Sequence, residues 1–578
     1  MPSEIKQCQN CKKTFQVRPE DKTLYEKINV PLPLFCPPCR MMRRLAWRNE
    51  RTLYRRACDQ CSKPIITMYP AGAAFPVYCP PCWWSDAWDG KGYGTIYDPT
   101  KSFLDQMKAL REKVPRPAVL NMRSINSDYT NMSADNKNCY LIFAAENNED
   151  CYYGRLVQNC KTAVDISWTY DSELCYECLD CRKCYNCLFC ERCQTSIDLF
   201  FCYDVRNSDH CILSTNLRHK SYYIENRPCS KEEYEKRKQE LLRSHTAVEV
   251  AKRRLEELKA RSLTKYSFQT KCVRTVGDYL YNCHDAYMLF DASNVKDCAY
   301  CADAEDPVDC LDGNNIYYKP ELCVEVMSAL QIYNCRHSMF IFSSNNLEYC
   351  DNVHNSFHCF GCVGLKKDNY CILNRQYTKE EYAKITNQIL ASMQKDGSYG
   401  SFPPPAHSLF GYNETLGMDY FPLSKEEALR REFRWTDEIP RTRGQETITS
   451  NAIPATIEEV DDGITNEILA CEQCSWNFKI TPFELSFYRK MHLPLPRKDF
   501  ECRHQERLRK RTPKYIWHRT CQCAGVTSDQ RPVTSFSYQN TAIHHHGQNH
   551  CPEEFETSYA PERPEIVYCE GCYQAEVV

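Results

Sequence analysis

Between about residues 138 and 229, and again between about 266 and 377, short pieces rich in Tyr, Phe, Ile and Cys alternate with Asn, Asp and Ser turns. The pattern predicts stacked coils rather than independent hairpins. Stacking at about 4.8 Å would set like residue over like, with Cys, Tyr and Asn ladders filling the interior and turns. The two regions repeat each other at an offset of 148: Cys211, Tyr222, Ile224, Asn226 and Arg227 return as Cys359, Tyr370, Ile372, Asn374 and Arg375. Steps of nine, twelve and fifteen residues all occur, which leaves the coil length open.

Each region runs into a helix with a capping box, Ser230 with Glu233 and Thr378 with Glu381, where hydroxyl and carboxylate satisfy free amides of the first turn. These helices are expected to close the solenoid ends. The first should continue to about Arg261, with Leu241, Leu242, Val248, Ala251, Leu255 and Leu258 as its apolar stripe.

The chain ends also repeat, at an offset of 463: Cys8, Cys11, Phe15, Tyr25, Pro31, Pro33 and Cys39 reappear as Cys471, Cys474, Phe478, Tyr488, Pro494, Pro496 and Cys502. Each end reads as a tandem of two ribbons. The expected fold is therefore mainly β and multidomain, with tandem zinc ribbons at both termini flanking two Cys/Tyr-rich β-solenoids, each closed by an α-helix. The boundaries are ribbons at 1–50 and 51–95, a linker with a helix at 96–137, and a solenoid at 138–229 with its helix at 230–265. A second solenoid at 266–377, its helix at 378–395, a linker at 396–466 and ribbons at 467–515 and 516–578 complete the chain.

Cys8, Cys11, Cys36 and Cys39 form one four-thiolate set, and Cys58, Cys61, Cys79 and Cys82 a second. Two residues between paired Cys let a tight turn aim both thiolates at one ion, and the second pair completes a tetrahedron. In the third ribbon Cys471, Cys474 and Cys502 are joined by Asp499 or His504, since zinc accepts oxygen and imidazole ligands. The fourth set is expected to be Cys521, Cys523, Cys569 and Cys572. Cys551, His544, His545, His546 and His550 sit in an insertion that could bind another ion or form a His-rich loop. Three to four structural zinc ions follow. Cys175, Cys178, Cys181, Cys184, Cys187, Cys190 and Cys193 recur every third residue, a spacing open to core packing, to an additional zinc or iron–sulfur site, or to redox chemistry.

The segment CQNCKKTFQV…LYEKINVPLPLFCPPCR resembles a small zinc-ribbon family in which a Cys pair, aromatics, prolines and a second Cys pair followed by Arg recur. The likeness covers about 35 residues at each end. The whole layout resembles large Cys-rich, multi-ribbon proteins of uncultured ultrasmall bacteria, a likeness that implies no activity.

The 40 Cys stand in a chain of 578 residues whose opening, MPSEIKQCQNCKK, has no apolar stretch behind a basic start, so the expected location is the reducing cytoplasm. No run of about 18 apolar residues suggests a membrane partner. The net charge of −3 argues against wholesale nucleic-acid coating, yet Arg40, Arg43, Arg44, Arg48, Arg51, Arg55 and Arg56 cluster directly after a ribbon, and a like cluster follows Cys502. Arg with aromatics suits phosphate contact and base stacking. Equally, these Arg residues could pair with acidic solenoid turns.

The expected function is thus a non-enzymatic zinc-binding module contacting RNA or DNA through those Arg residues. The rival is a protein-interaction scaffold using the solenoid surfaces. An enzyme acting on a small-molecule substrate such as a sugar would start from Asp303, Glu305, Asp306, Asp309 and Asp312, which acidic turns explain more simply.

Overall fold

A computed structural model describes residues 3–523, 538–547 and 549–578 of the chain. It is mainly β, and its two largest elements are eleven-stranded sheets. Strands in each sheet pair in parallel with a step of twelve residues, as in Tyr140↔Tyr152, Cys211↔Tyr223 and Cys359↔Cys371. Only the last short strand of each turns back antiparallel. Among the described residues no helix is long and apolar enough to cross a membrane.

A triplet rule underlies the twelve-residue step. Every third residue, from Asn138 through Leu141, Ala144, Asn147 and Asp150 onward, holds φ near +50°. Asn and Asp recur at these turns because their short polar side chains tolerate the left-handed region. The residue after each turn points inward, so Cys139, Ile142, Ala145 and Cys151 share one buried core with the Cys175 to Cys193 run. All steps noted in the sequence are multiples of this triplet.

The inward thiols are at most 3 % exposed along that run. Each donates to the carbonyl two residues back, as Cys181 Sγ does to Leu179 at 3.5 Å and Cys190 Sγ to Leu188 at 3.4 Å. Ser172 and Ser196 make the same bond from equivalent positions at 2.8 Å. A small side chain that can satisfy a carbonyl is what this narrow interior accepts. Asn side chains instead form ladders at the corners, Asn126 to Asn138 and Asn138 to Asp150 at 3.0 Å, while Tyr140 and Tyr152 meet on the outside with their rings tilted by 44°.

Two irregularities break the rule in the second stack. At Tyr318 and Lys319 two consecutive residues hold positive φ and the step becomes thirteen, Leu311↔Val324. At Gly277 the register shifts, and a Cβ there would lie 1.9 Å from the Leu289 carbonyl oxygen, so only glycine fits.

Both capping boxes form, at Ser230 and Thr378. The first helix is not continuous: Lys231–Leu242 and His245–Lys259 are separate, because Ser244 turns extended and caps the second through the Ala247 amide. Their apolar stripe packs on outward residues of the first stack that recur every twelve positions, Val164, Tyr176, Leu188, Phe200 and Ile212. The 396–466 segment is packed rather than free, with Phe402 and Phe410 beside Trp47 and Tyr69 in a common core.

Candidate metal centres

Three ribbons begin with a β-hairpin whose turn carries the first ligand pair. Cys8 and Cys11 lie between Glu4–Gln7 and Thr14–Val17, Cys58 and Cys61 between Tyr54–Ala57 and Pro64–Thr67, Cys471 and Cys474 between Leu469–Ala470 and Asn477–Phe478. The residue after the second ligand, Lys12, Ser62 or Ser475, holds φ near +60° and returns the chain.

The second pair comes from a helix start. Cys36, Cys79, Asp499 and Cys569 are the N-caps of Pro37–Leu45, Pro80–Trp84, Phe500–Lys510 and Glu570–Val577, and Cys39, Cys82, Cys502 and Cys572 are the third residues in. An N-cap faces free amides, so an anionic ligand there meets ready donors. This explains why Asp can replace Cys at 499, since Asp is among the best capping residues. Asp499 Oδ1 accepts from the Cys502 amide at 2.9 Å, while Oδ2 accepts from Cys474 Sγ at 2.8 Å.

The structure gathers Cys8, Cys11, Cys36 and Cys39, then Cys58, Cys61, Cys79 and Cys82, then Cys471, Cys474, Asp499 and Cys502, with ligand atoms of each set within 4.8 Å of one another. Each set could hold a metal ion. Each close thiol pair splits: donation from Cys36 lowers Cys39 and raises Cys36, and donation from Cys521 lowers Cys569 and raises Cys521, so one thiolate per pair is favoured before any ion binds. Low-lying thiolates are the form that binds metal.

His504 is not a ligand of the third set. It lies buried, its Nε2 3.9 Å from Asp419 Oδ2, because its side chain leaves the helix on the face turned to the 396–466 segment.

The fourth set also differs from expectation. Cys551, not Cys523, joins Cys521, Cys569 and Cys572. The backbone explains it: the first ligand of each knuckle donates its amide to the residue two after the second ligand, Cys8 to Lys13, Cys58 to Lys63, Cys471 to Trp476 and Cys521 to Glu553. Cys551 is therefore the counterpart of Cys61, and a long insertion opens the knuckle between them. That two-residue spacing to the returning strand was present in the sequence, but the insertion breaks the 463-residue register that would have revealed it. Cys523 instead gathers with His544, His546 and Cys572, whereas His545 and His550 belong to neither set. The Cys175 to Cys193 thiols belong to none of the metal-competent groups among the described residues.

Most of the Arg-rich segment is engaged within the fold: Arg40, Arg44 and Arg48 are buried, Arg43, Arg51 and Arg56 are partly buried, and Arg55 is exposed. Arg40 donates to Asp312 at 2.8 Å and Arg44 at 3.2 Å, with Arg44 Nε on Asn314 at 2.8 Å. Arg48 binds Glu50 at 2.6 Å and Ser328, and Arg51 binds Asp419 and Glu501. Arg43 donates to the Phe402 carbonyl, Arg55 to the Tyr129 hydroxyl and Arg56 to Asp59. The buried guanidinia among them, Arg40, Arg44 and Arg48, are neutralised by carboxylates of the fold and lie away from solvent. The acidic run is dispersed by the same contacts: Asp303 pairs with Lys514, Asp309 with Lys27 and Asp312 with Arg40, so these carboxylates serve separate cations.

No known protein family matches this chain, and no curated protein matches it.

Proposed function

We propose that this chain is a non-enzymatic zinc-binding scaffold in which structural zinc fixes four ribbons against two β-solenoids, and the solenoids hold a protein segment between them. A tetrahedron with zinc–sulfur bonds of about 2.3 Å has edges of about 3.8 Å. The Cys11–Cys36, Cys61–Cys79 and Cys551–Cys569 sulfurs are 3.7, 3.8 and 3.8 Å apart. Zinc also takes the carboxylate and imidazole groups that replace Cys at the C-terminal end, which an iron–sulfur site would seldom do. Four protein ligands close the coordination sphere and leave no position for a substrate.

The observation that carries the binding role is a cleft of about 850 Å³ between the two stacks. One wall follows the first stack along Leu120, Met132, Ala144, Leu156 and Trp168, and the other follows the second through Tyr279, Asp291, Asp303 and Asn315. The Leu120 to Trp168 wall advances twelve residues per strand, so it spans four strand spacings, roughly 20 Å. A long slot with one largely apolar wall and one polar wall suits an extended polypeptide. Tyr318 donates across it to Glu146 at 2.5 Å. Nucleic acid is the weaker reading, because Arg40, Arg44, Arg48 and Arg51 already pair with carboxylates of the fold.

The test is selection of a random displayed-peptide library on the full chain, with Tyr281→Ala and Tyr318→Ala together as the cleft variant. Peptides whose binding the variant abolishes are expected. Salt-sensitive binding of single-stranded RNA or DNA oligonucleotides, with no cleft-dependent peptide, would reverse the choice.

A further inference from the structure

We propose that the fourth ribbon is a two-metal cluster: a second ion lies in the Cys523, His544 and His546 group and is joined to the ribbon ion by a bridging Cys572 thiolate. This rests on the zinc reading above and extends it. Cys572 is common to both metal-competent groups, and among the described residues no other residue is shared between any of the five such groups. Cys523 Sγ lies 3.1 Å from His544 Nδ1 and 3.3 Å from His546 Nε2, and His546 Nε2 lies 3.2 Å from Cys572 Sγ.

What separates this arrangement from a chance His-rich loop is the far side of each imidazole. A metal-bound His uses one ring nitrogen for the ion and gives the other N–H to a carboxylate or carbonyl, which fixes tautomer and ring orientation. His544 Nε2 meets Glu576 at 2.8 Å, and His546 Nδ1 meets the Asn549 carbonyl at 2.7 Å. Both contacts leave the inward nitrogen unprotonated and aimed at the Cys pair. Glu576 and His544 have side chains at most 1 % exposed, and Glu576 sits one helical turn beyond Cys572. The helix that presents the bridging sulfur thus also orients the histidine. Asn540 donates to Cys523 Sγ at 3.1 Å and is itself held by the Tyr568 hydroxyl at 2.7 Å.

Charge favours sharing. Five thiolates and two neutral imidazoles around two divalent ions leave one uncompensated charge, whereas four thiolates around one ion leave two. The cluster also accounts for the insertion, which supplies Cys551 to one ion and both histidines to the other.

Native mass spectrometry of the full chain counts the ions. His544→Ala with His546→Ala is expected to lose one ion relative to the wild type, Cys572→Ala to lose two, and the control His550→Ala to lose none. X-ray absorption at the zinc edge should show a metal–metal distance of about 3.5–4 Å that vanishes in the double His variant. An unchanged ion count in the double His variant overturns the second ion, and a lost ion with no metal–metal distance in the wild type overturns the bridge. A wild-type count near zero would instead overturn the zinc reading as a whole.

Discussion

Arg40 donates to Asp312 at 2.8 Å across 272 residues of chain. The same relationship recurs 463 residues on, where Arg503 Nε lies 2.8 Å from Asp165 Oδ2. Arg44 and Arg507 are the second cations of the two sites, at 3.2 and 3.0 Å. Tyr300 donates to Asp21 at 2.6 Å as Tyr153 does to Glu484 at 2.8 Å. The first ribbon therefore docks on the second stack and the third ribbon on the first stack through equivalent contacts.

Asp312→Ala would strand two guanidinia that are 2 % and 0 % exposed. Breaking one side of a buried ion pair costs about 3–5 kcal/mol. Asp165→Ala is expected to cost a similar amount, and because the two sites share no partner the double variant should be near additive. Denaturant midpoints read this directly, and a cost under about 1 kcal/mol for either single variant would contradict the docking role.

Glu50 gives a pH test. Burial would raise its carboxyl, but Arg155 and Arg48 outweigh burial and hold it at about 2. A carboxyl depressed in the folded state binds fewer protons there, so its contribution is present above the ordinary value near 4.3 and is lost as pH falls toward 2. The stability gap between wild type and Glu50→Gln should be roughly 2–3 kcal/mol at neutral pH and should narrow below about pH 4. Thermal melts across that range would refute the assignment if the gap stayed constant.

Asp499 caps its helix and, in the zinc reading proposed above, would also be a ligand. Asp499→Cys should keep the ion count, Asp499→Ala should lose one ion and about 1 kcal/mol of helix capping, and Asp499→Ser should lose the ion while retaining most of the cap. An unchanged count in Asp499→Ala would remove the residue from the metal site.

The inward Cys run should be indifferent to metal. Replacing Cys178, Cys181 and Cys190 by Ala is expected to leave the ion count and absorption spectrum unchanged, at roughly 1 kcal/mol per site for the lost sulfur volume. Loss of bound iron or zinc from that triple variant would reinstate a metal site in the Cys175 to Cys193 run.

The sequence by itself determined what is local. Cys pairs separated by two residues, the capping boxes at Ser230 and Thr378, and the recurrence of Asn and Asp between apolar pieces all act within one turn or hairpin, so their spacing alone exposes them. The triplet was present too, in steps that are all multiples of three, although no single step reveals that twelve residues make one rise. Tertiary structure decided everything that depends on chain segments meeting at a distance. The Arg40 to Arg56 segment has the same composition whether it faces phosphate or Asp312, and only the docking of the ribbon on the second stack selects the carboxylate. His504 and Asp499 were equal candidates by chemistry, and helix phase chose the one at the N-cap. Cys551 could replace Cys523 only because the strands Trp517–Thr520 and Glu554–Thr557 pair across the insertion, bringing together residues whose separation in sequence carries no register.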